Sequence, residues 1–153
     1  MSKSHPKISF AYPTFFLPGT YAKPPYPAHI SFKLLELPSK ISFYVSAGLI
    51  LDTARTYSFD VDVIFDGSSL IPGNRPAIDS RLLEPAFSEN NDFITTSVTI
   101  ISGIEVVSEG LYTIQVLLYA GDTNDADREL VDKHECHFVL AKNWAPAATN
   151  KTE

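Results

Sequence analysis

An alternation of large and mostly polar side chains between Arg55 and Phe65 constrains this fold more than any other feature of the chain. The large side chains share one parity: Arg55, Tyr57, Phe59, Val61, Val63 and Phe65. A β-strand turns successive side chains to opposite faces, so this pattern predicts one dry and one wet face. Aromatic and β-branched residues favour such a half-buried surface. We therefore predict an all-β protein in which Asp60 and Asp62 lie on a solvated face.

The same reasoning places further strands along the chain. They are predicted near 28–37, 40–51, 93–101, 111–120 and 130–140. The side chains expected to face the core are every second residue from Ile41 to Leu51 and, in the strand near 93–101, Ile94, Val98 and Ile100. Turn residues such as Asp66-Gly67 and Ser102-Gly103 separate or interrupt them. About seven short strands in 153 residues predict a single antiparallel β-sandwich spanning 28–144, followed by a loose tail at 145–153.

Residues 1–27 form a distinct N-terminal arm, rich in proline and aromatic residues. Proline fixes its own backbone and biases the preceding residue to extended conformations, so the arm is expected to be extended. Its aromatics favour packing across the sandwich and covering an edge, with a short edge strand at Lys7 to Tyr12. The alternative is a polyproline-type ligand for a partner.

Gly110-Leu111-Tyr112-Thr113-Ile114 resembles the corner before strand F of immunoglobulin-like domains. The resemblance implies that the Tyr112 hydroxyl bonds back to the backbone and that Ile114 faces the core. Ile114 stands where antibody-type domains place a cysteine, and Trp144 follows the last predicted strand. A disulfide-free immunoglobulin-like or fibronectin-like sandwich, similar to small uncharacterised bacterial sandwich proteins, is therefore implied.

Charge and cysteine content exclude several classes of function. A net charge of −6 and a pI near 5.1 argue against binding to nucleic acid and to anionic membranes, both of which require a basic surface. Cys136 is the only cysteine, so no intrachain disulfide can form. That composition and the lack of an evident targeting segment favour a reducing, cytoplasmic location.

His134-Glu135-Cys136-His137 is the main cluster of soft metal ligands in the sequence. On a strand, His134 and Cys136 share a face, and two ligands at that spacing can begin a zinc site, which needs four. Because Cys136 shares the parity of Phe138 and Leu140, a core cysteine beside surface histidines is favoured over a metal ligand or a nucleophile. We expect no metal and no cofactor.

Acidic residues offer two further candidate sites. The loop Asp122 to Asp127 carries clustered oxygen ligands for calcium but fails the EF-hand pattern, so a solvated hairpin tip is favoured while weak calcium binding stays open. Asp60 and Asp62 are paired carboxylates of the kind that glycosidases use, which leaves a hydrolase as an alternative. Nothing in the sequence places them in a cleft.

The long excursion from Leu70 to Asp92 is the predicted partner-facing region. Loops of this length are usually functional or disordered, and Ser80 to Leu83 is expected to form a helical turn. The predicted partner-binding residues are Arg75, Arg81, Leu82, Phe87, Tyr21 and Tyr26. We predict a non-enzymatic protein-interaction or structural module with a protein partner, in which a sheet edge also allows a homo-oligomer. The alternative is a small-ligand or glycan-binding sandwich that uses Tyr21, Tyr26 and Tyr119.

Overall fold

The computed structural model describes residues 5–15, 26–71, 79–122 and 125–145, and within these ranges the chain forms nine strands and no helix. The strands are β1 (Lys7–Phe15), β2 (Ser31–Lys33), β3 (Ser39–Asp52), β4 (Tyr57–Phe65), β5 (Ser68–Ser69), β6 (Asp79–Phe87), β7 (Asp92–Val106), β8 (Gly110–Ala120) and β9 (Glu129–Ala141). About seven strands were predicted; β2 and β5 are only three and two residues long.

These strands form two sheets. Sheet A has the order β1-β3-β7-β6, and sheet B has the order β2-β9-β8-β4-β5. Every pairing is antiparallel except that of β2 with β9, which is parallel. The all-β prediction is confirmed, and the two sheets form an arrangement consistent with a β-sandwich.

The hydrophobic core lies between the two sheets and follows the predicted parity of β3. Its buried members from β3 are Ile41, Phe43, Val45, Ala47, Leu49 and Leu51. Sheet B contributes Val61 and Val63 from β4 and the alternating apolar residues of β8. Tyr57, Phe59, Val61 and Val63 of β4 were predicted to be buried. Val61 and Val63 are buried, whereas Tyr57 and Phe59 pack against the core but are only half-buried.

Tyr112 forms the backbone contact that the sequence predicts. Its hydroxyl donates to the carbonyl of Ser108 at 2.6 Å, and its ring is almost fully buried, stacked on Phe65 with ring centres 4.3 Å apart. Gly110 next to it has a φ of 138°, which favours glycine, and a Cβ there would lie 3.2 Å from the Phe65 ring. This corner fixes the entry of β8 into the core.

Two strand predictions need correction. The strand predicted at 28–37 is reduced to β2, because only three residues pair in register with β9. Ile30, which was expected to face the core, is 77% exposed. In β7 the predicted inward set of Ile94, Val98 and Ile100 lies on the outer face of sheet A. The residues opposite the inward β3 positions Leu49, Ala47 and Val45 are Thr95, Ser97 and Thr99, all of which are buried.

The excursion from Leu70 to Asp92 is not simply a long loop. It contains β6, which pairs with β7, so the helical turn expected at Ser80 to Leu83 is wrong. Prolines favoured the loop interpretation, but Pro85 lies at the register shift between Leu83 and Ala86. An edge strand tolerates proline there because only one of its sides must hydrogen-bond.

The N-terminal arm is partly integrated into sheet A. The predicted edge strand is confirmed as β1, which pairs with β3 from Lys7 to Phe15. Tyr26 is buried on the outer face of the same sheet. Tyr21 and the rest of 16–25 lie outside the described residues.

Candidate functional site

The cysteine and histidine cluster of β9 lacks the features of a reactive site. Cys136 lies opposite Ile114 and is half-buried, and burial raises the pKa of its thiol to about 11. The thiol is therefore neutral at pH 7, which disfavours nucleophilic attack. His137 faces the other way, with its Nδ1 3.0 Å from the Thr113 hydroxyl. Among the described residues, no three potential metal ligands come together.

Asp60 does not lie on a solvated face as predicted. It is 7% exposed, and Arg128 donates to its Oδ2 at 2.6 Å and to the Ser58 hydroxyl at 3.2 Å. The Arg128 guanidinium also lies 3.8 Å from the centre of the Tyr119 ring, a cation–π geometry. Arg128 lies in the loop before β9, so the sequence pattern of β4 alone could not identify it as the partner of Asp60. Asp60 is thus held in a structural ion pair.

Asp62 is half-buried, and its contacts are also structural. Its Oδ1 accepts hydrogen bonds from the Val63 amide at 2.9 Å and from the Ser69 hydroxyl at 2.5 Å. A general acid or base needs a carboxylate that faces a substrate cleft. Since Asp60 and Asp62 both serve contacts within sheet B, the hydrolase alternative loses its main support.

The acidic loop after β8 is organised by its own backbone. The Asp127 amide donates to Asp125 Oδ1 at 2.9 Å, and the Asp125 amide donates to the Asp122 carbonyl at 3.0 Å. Residues 123 and 124 lie outside the described part of the chain. The described geometry is that of a hairpin tip, and calcium binding there stays an open prediction.

The described residues that were predicted to bind a partner belong to two parts of the chain, β6 and the segment that carries Tyr26. Tyr26 is 6% exposed and stacks on Tyr44 with ring centres 4.7 Å apart, so its ring is occupied within the fold. Phe87 is 70% exposed beside Phe93 at the end of β6. Arg81 and Leu82 lie on β6, whereas Arg75 and Tyr21 fall outside the described residues. The glycan-binding alternative needs exposed aromatic rings on which a sugar can stack. Tyr26 is buried and the Tyr119 ring is covered by the Arg128 guanidinium, so neither described ring is available for that contact.

One edge of sheet A is partly occupied by contacts from the rest of the chain. On β1, the Ile8 amide donates to Asp132 Oδ2 at 2.8 Å, and the Phe15 amide donates to His29 Nδ1 at 3.0 Å. The Pro13 carbonyl accepts the His29 amide at 2.9 Å. These contacts use backbone groups that point away from β3, so an incoming strand finds them occupied.

The opposite edge of sheet A is β6, and the register shows which of its backbone groups point outward. Pro13, Val45, Thr99 and Ser80 lie in one row across the four strands. The Pro13 carbonyl points away from β3, so Pro13 and Val45 form a non-hydrogen-bonded pair. Val45 therefore directs its amide and carbonyl towards β7, and Val45 and Thr99 form a hydrogen-bonded pair. Ser80 then directs its amide and carbonyl away from β7, as does Leu82 two residues on. Within the described residues, no strand pairs with this side of β6.

Comparisons with known proteins give no relative for this chain. No protein family matches the sequence, no curated protein is similar to it, and no solved structure matches the fold. Within the described residues there is no helix with the length and apolar character of a membrane span. The candidate sites therefore have to be judged on geometry alone.

Proposed function

We propose that this chain is a non-enzymatic, intracellular protein-binding module with an immunoglobulin-like layout, and that its partner adds a strand to the outer edge of β6. The lone cysteine is consistent with a reducing, cytoplasmic location. A microbial source belongs to this proposal only through the resemblance of the sequence pattern to small bacterial sandwich proteins. Among the described residues, none of the candidates for catalysis combines a free reactive group with a substrate cleft.

The immunoglobulin-like layout is supported by strand order and by the tyrosine corner. The order β1-β3-β7-β6 corresponds to A-B-E-D, and β9-β8-β4 corresponds to G-F-C. Tyr112 on β8 then occupies the tyrosine-corner position of strand F, and its bond to the Ser108 carbonyl has the expected direction. In this layout β6 is strand D, an outer strand.

The observation that carries the proposed function is the difference between the two edges of sheet A. Contacts from Asp132 and His29 occupy outward backbone groups towards both ends of β1, whereas the register directs the amides and carbonyls of Ser80 and Leu82 outward from β6, where no described strand pairs with them. Such an edge is a template for an extended segment, which gains main-chain hydrogen bonds when it pairs. Pro85 and the adjacent register shift confine the regular edge to the first part of the strand.

A proline scan of the backbone tests this proposal. Ser80→Pro removes an outward amide without removing a ladder bond, and Ser80→Ala is the matched control that keeps the amide. Proteins from the native host that wild type and Ser80→Ala retain should be lost by Ser80→Pro, at a nearly unchanged melting temperature. Equal retention by all three proteins would contradict strand addition at β6.

Two further measurements complete the design. Arg81→Pro should lower the melting temperature, because the register places that amide in the ladder with β7. If Ser80→Pro is the variant that unfolds instead, our assignment of the outward groups is wrong. Light scattering identifies the case in which the added strand comes from a second copy: a dimer of the wild type that Ser80→Pro converts to monomer.

A further inference from the structure

His29 pairs with the outer edge of β1 in the way that a residue of a parallel strand would. Its amide donates to the Pro13 carbonyl at 2.9 Å, and its ring Nδ1 accepts from the Phe15 amide at 3.0 Å. In a parallel ladder, one residue donates its amide to residue i−1 of the neighbouring strand and accepts with its carbonyl from residue i+1. His29 has this relation to Thr14, except that the ring nitrogen takes the place of the carbonyl.

The ring nitrogen gives this second bond a property that a carbonyl does not have. Nδ1 accepts from the Phe15 amide only while it carries no proton, so the bond assigns the proton of the neutral imidazole to Nε2. A proton on Nδ1 turns it into a donor that faces the N–H group of Phe15. The Pro13 carbonyl stays an acceptor at any ordinary pH, so only the bond from Phe15 is sensitive to protonation.

The imidazole also packs on the residue whose amide it accepts. It is half-buried and lies parallel to the Phe15 ring, with ring centres 6.2 Å apart and planes at 6°. Phe15 is a core residue that contacts the rings of Phe43 and Phe138. An imidazole that turns away from the Phe15 amide therefore also leaves an aromatic stack.

No described carboxylate forms an ion pair with His29. The titratable side chains on the neighbouring elements are Tyr12 on β1, Tyr44 on β3, Lys33 on β2 and His137 on β9. Tyr12 donates to the Tyr26 carbonyl, Tyr44 stacks on Tyr26, and His137 lies 3.0 Å from the Thr113 hydroxyl. Lys33 is exposed. Within the described residues, no negative charge is therefore in place to hold an imidazolium where the neutral ring lies.

We infer that His29 is an acid-operated latch on the β1 edge: a proton at Nδ1 ends the bond from the Phe15 amide and turns the ring off the strand. The latch opens as the pH falls through the range in which histidine ordinarily gains a proton, about pH 8 to 5. Opening frees an outward amide, which is the kind of group that an added strand uses. The carbonyls of Tyr26 and Pro27 keep their bonds to Tyr12 and Thr14, so the segment stays attached.

Hydrogen exchange of the full chain, followed by NMR at about pH 7.5 and about pH 5.5, tests the latch. After correction for the intrinsic exchange rate, protection of the Phe15 amide should fall about fivefold at the lower pH, the effect of losing one hydrogen bond. The Ile8 amide donates to the Asp132 carboxylate at the other end of β1 and is the internal control. It should keep its protection, because carboxylates ordinarily bind protons only below this pH range.

His29→Asn separates protonation from loss of the side chain. The amide oxygen of asparagine lies close to the place of Nδ1 and accepts a hydrogen bond without titrating, so Phe15 protection should be high at both pH values. His29→Ala removes the acceptor, and protection should be low at both. His5→Asn is the matched control, because His5 is exposed, and it should respond to pH as the wild type does.

The imidazole nitrogen shifts report the tautomer of wild-type His29 directly, and Nε2–H is expected at about pH 7.5. An Nδ1–H tautomer would overturn the inference, as would wild-type Phe15 protection that does not change with pH. A pH response that survives in His29→Asn would belong to another group and would overturn it as well. The latch and the β6 edge lie on opposite sides of sheet A, so none of these results alters the outcome of the Ser80→Pro test.

Discussion

The two sheets differ in how the side chains on their outer faces are paired or covered. On sheet B, polar side chains pair with one another: Gln115 on β8 donates to Glu135 on β9 at 2.8 Å, and Arg128 from the loop before β9 binds Asp60 on β4. On the described outer face of sheet A, Tyr26 is buried against Tyr44 and Val98, whereas Phe10 and Ile94 are 40% and 48% exposed. Polar groups that are already paired gain little from a partner, whereas exposed apolar side chains gain from being covered. This difference supports the proposal that a partner binds at sheet A.

The largest expected effect compares the two faces of β4. Val61→Asp places a carboxylate in the core, at a cost of several kcal/mol against a total stability of about 5–15 kcal/mol, and should unfold most of the protein. Asp62→Asn keeps the oxygen that accepts from Val63 and Ser69 and should change the free energy of unfolding by less than about 1 kcal/mol. Urea denaturation followed by circular dichroism measures both variants. Similar midpoints would show that the inward and outward assignments are wrong.

The second prediction breaks the ion pair of sheet B. Asp60→Ala leaves the Arg128 guanidinium without its carboxylate; the two side chains are only 10% and 16% exposed, so the loss should be about 3–5 kcal/mol. The double variant Asp60→Ala with Arg128→Met should recover part of that loss, because it removes the unpaired charge. Thermal and urea unfolding of the four proteins complete the cycle. A cost no greater than that of Asp62→Asn would mean that the pair is effectively solvated.

The third prediction concerns Gly48 on the outer face of sheet A. Gly48→Ala introduces a Cβ that clashes with the outer end of the Phe10 side chain, and the ring must move off the strand. Because that ring is flexible and 40% exposed, it can move towards solvent, so the free energy of unfolding should change by less than about 1 kcal/mol. The NMR signals of the Phe10 ring should nevertheless shift. If those signals do not change, the Phe10 ring does not rest on Gly48 in solution.

The smallest effect concerns the thiol of Cys136. Its pKa is raised from 9.0 to about 11 by burial, so the folded thiol stays neutral at pH 7 and should react slowly with thiol reagents. The unfolded chain releases this proton first, so the contribution of Cys136 to stability is complete below pH 9 and is lost as the pH rises to about 11. Cys136→Ser should flatten that part of the pH profile of unfolding. Rapid labelling at pH 7 would contradict the raised pKa.

Local sequence determined the parts of this fold in which a strand has one face towards the core and the other towards solvent. The inward set of β3 and the burial of Val61 and Val63 follow from period-two alternation. The turn after β4 follows from Asp66-Gly67, whose φ values of 52° and 81° require residues that tolerate the left-handed region. The back-bond of Tyr112 followed from a recognisable corner. Each of these depends on neighbours only a few residues away.

Tertiary structure decided the features that depend on distant parts of the chain. Asp60 is buried because Arg128, 68 residues later, reaches across to it. The pairing of β7 with β3 turns Val98 to the outer face, and Val98 is buried there because Tyr26 from the arm packs on it. β6 exists because β7 offers it an unpaired side, and the contrast between the two edges of sheet A appears only once the strand order is set. The alternation of a strand separates its two faces, but partners remote in sequence decide which of them is covered.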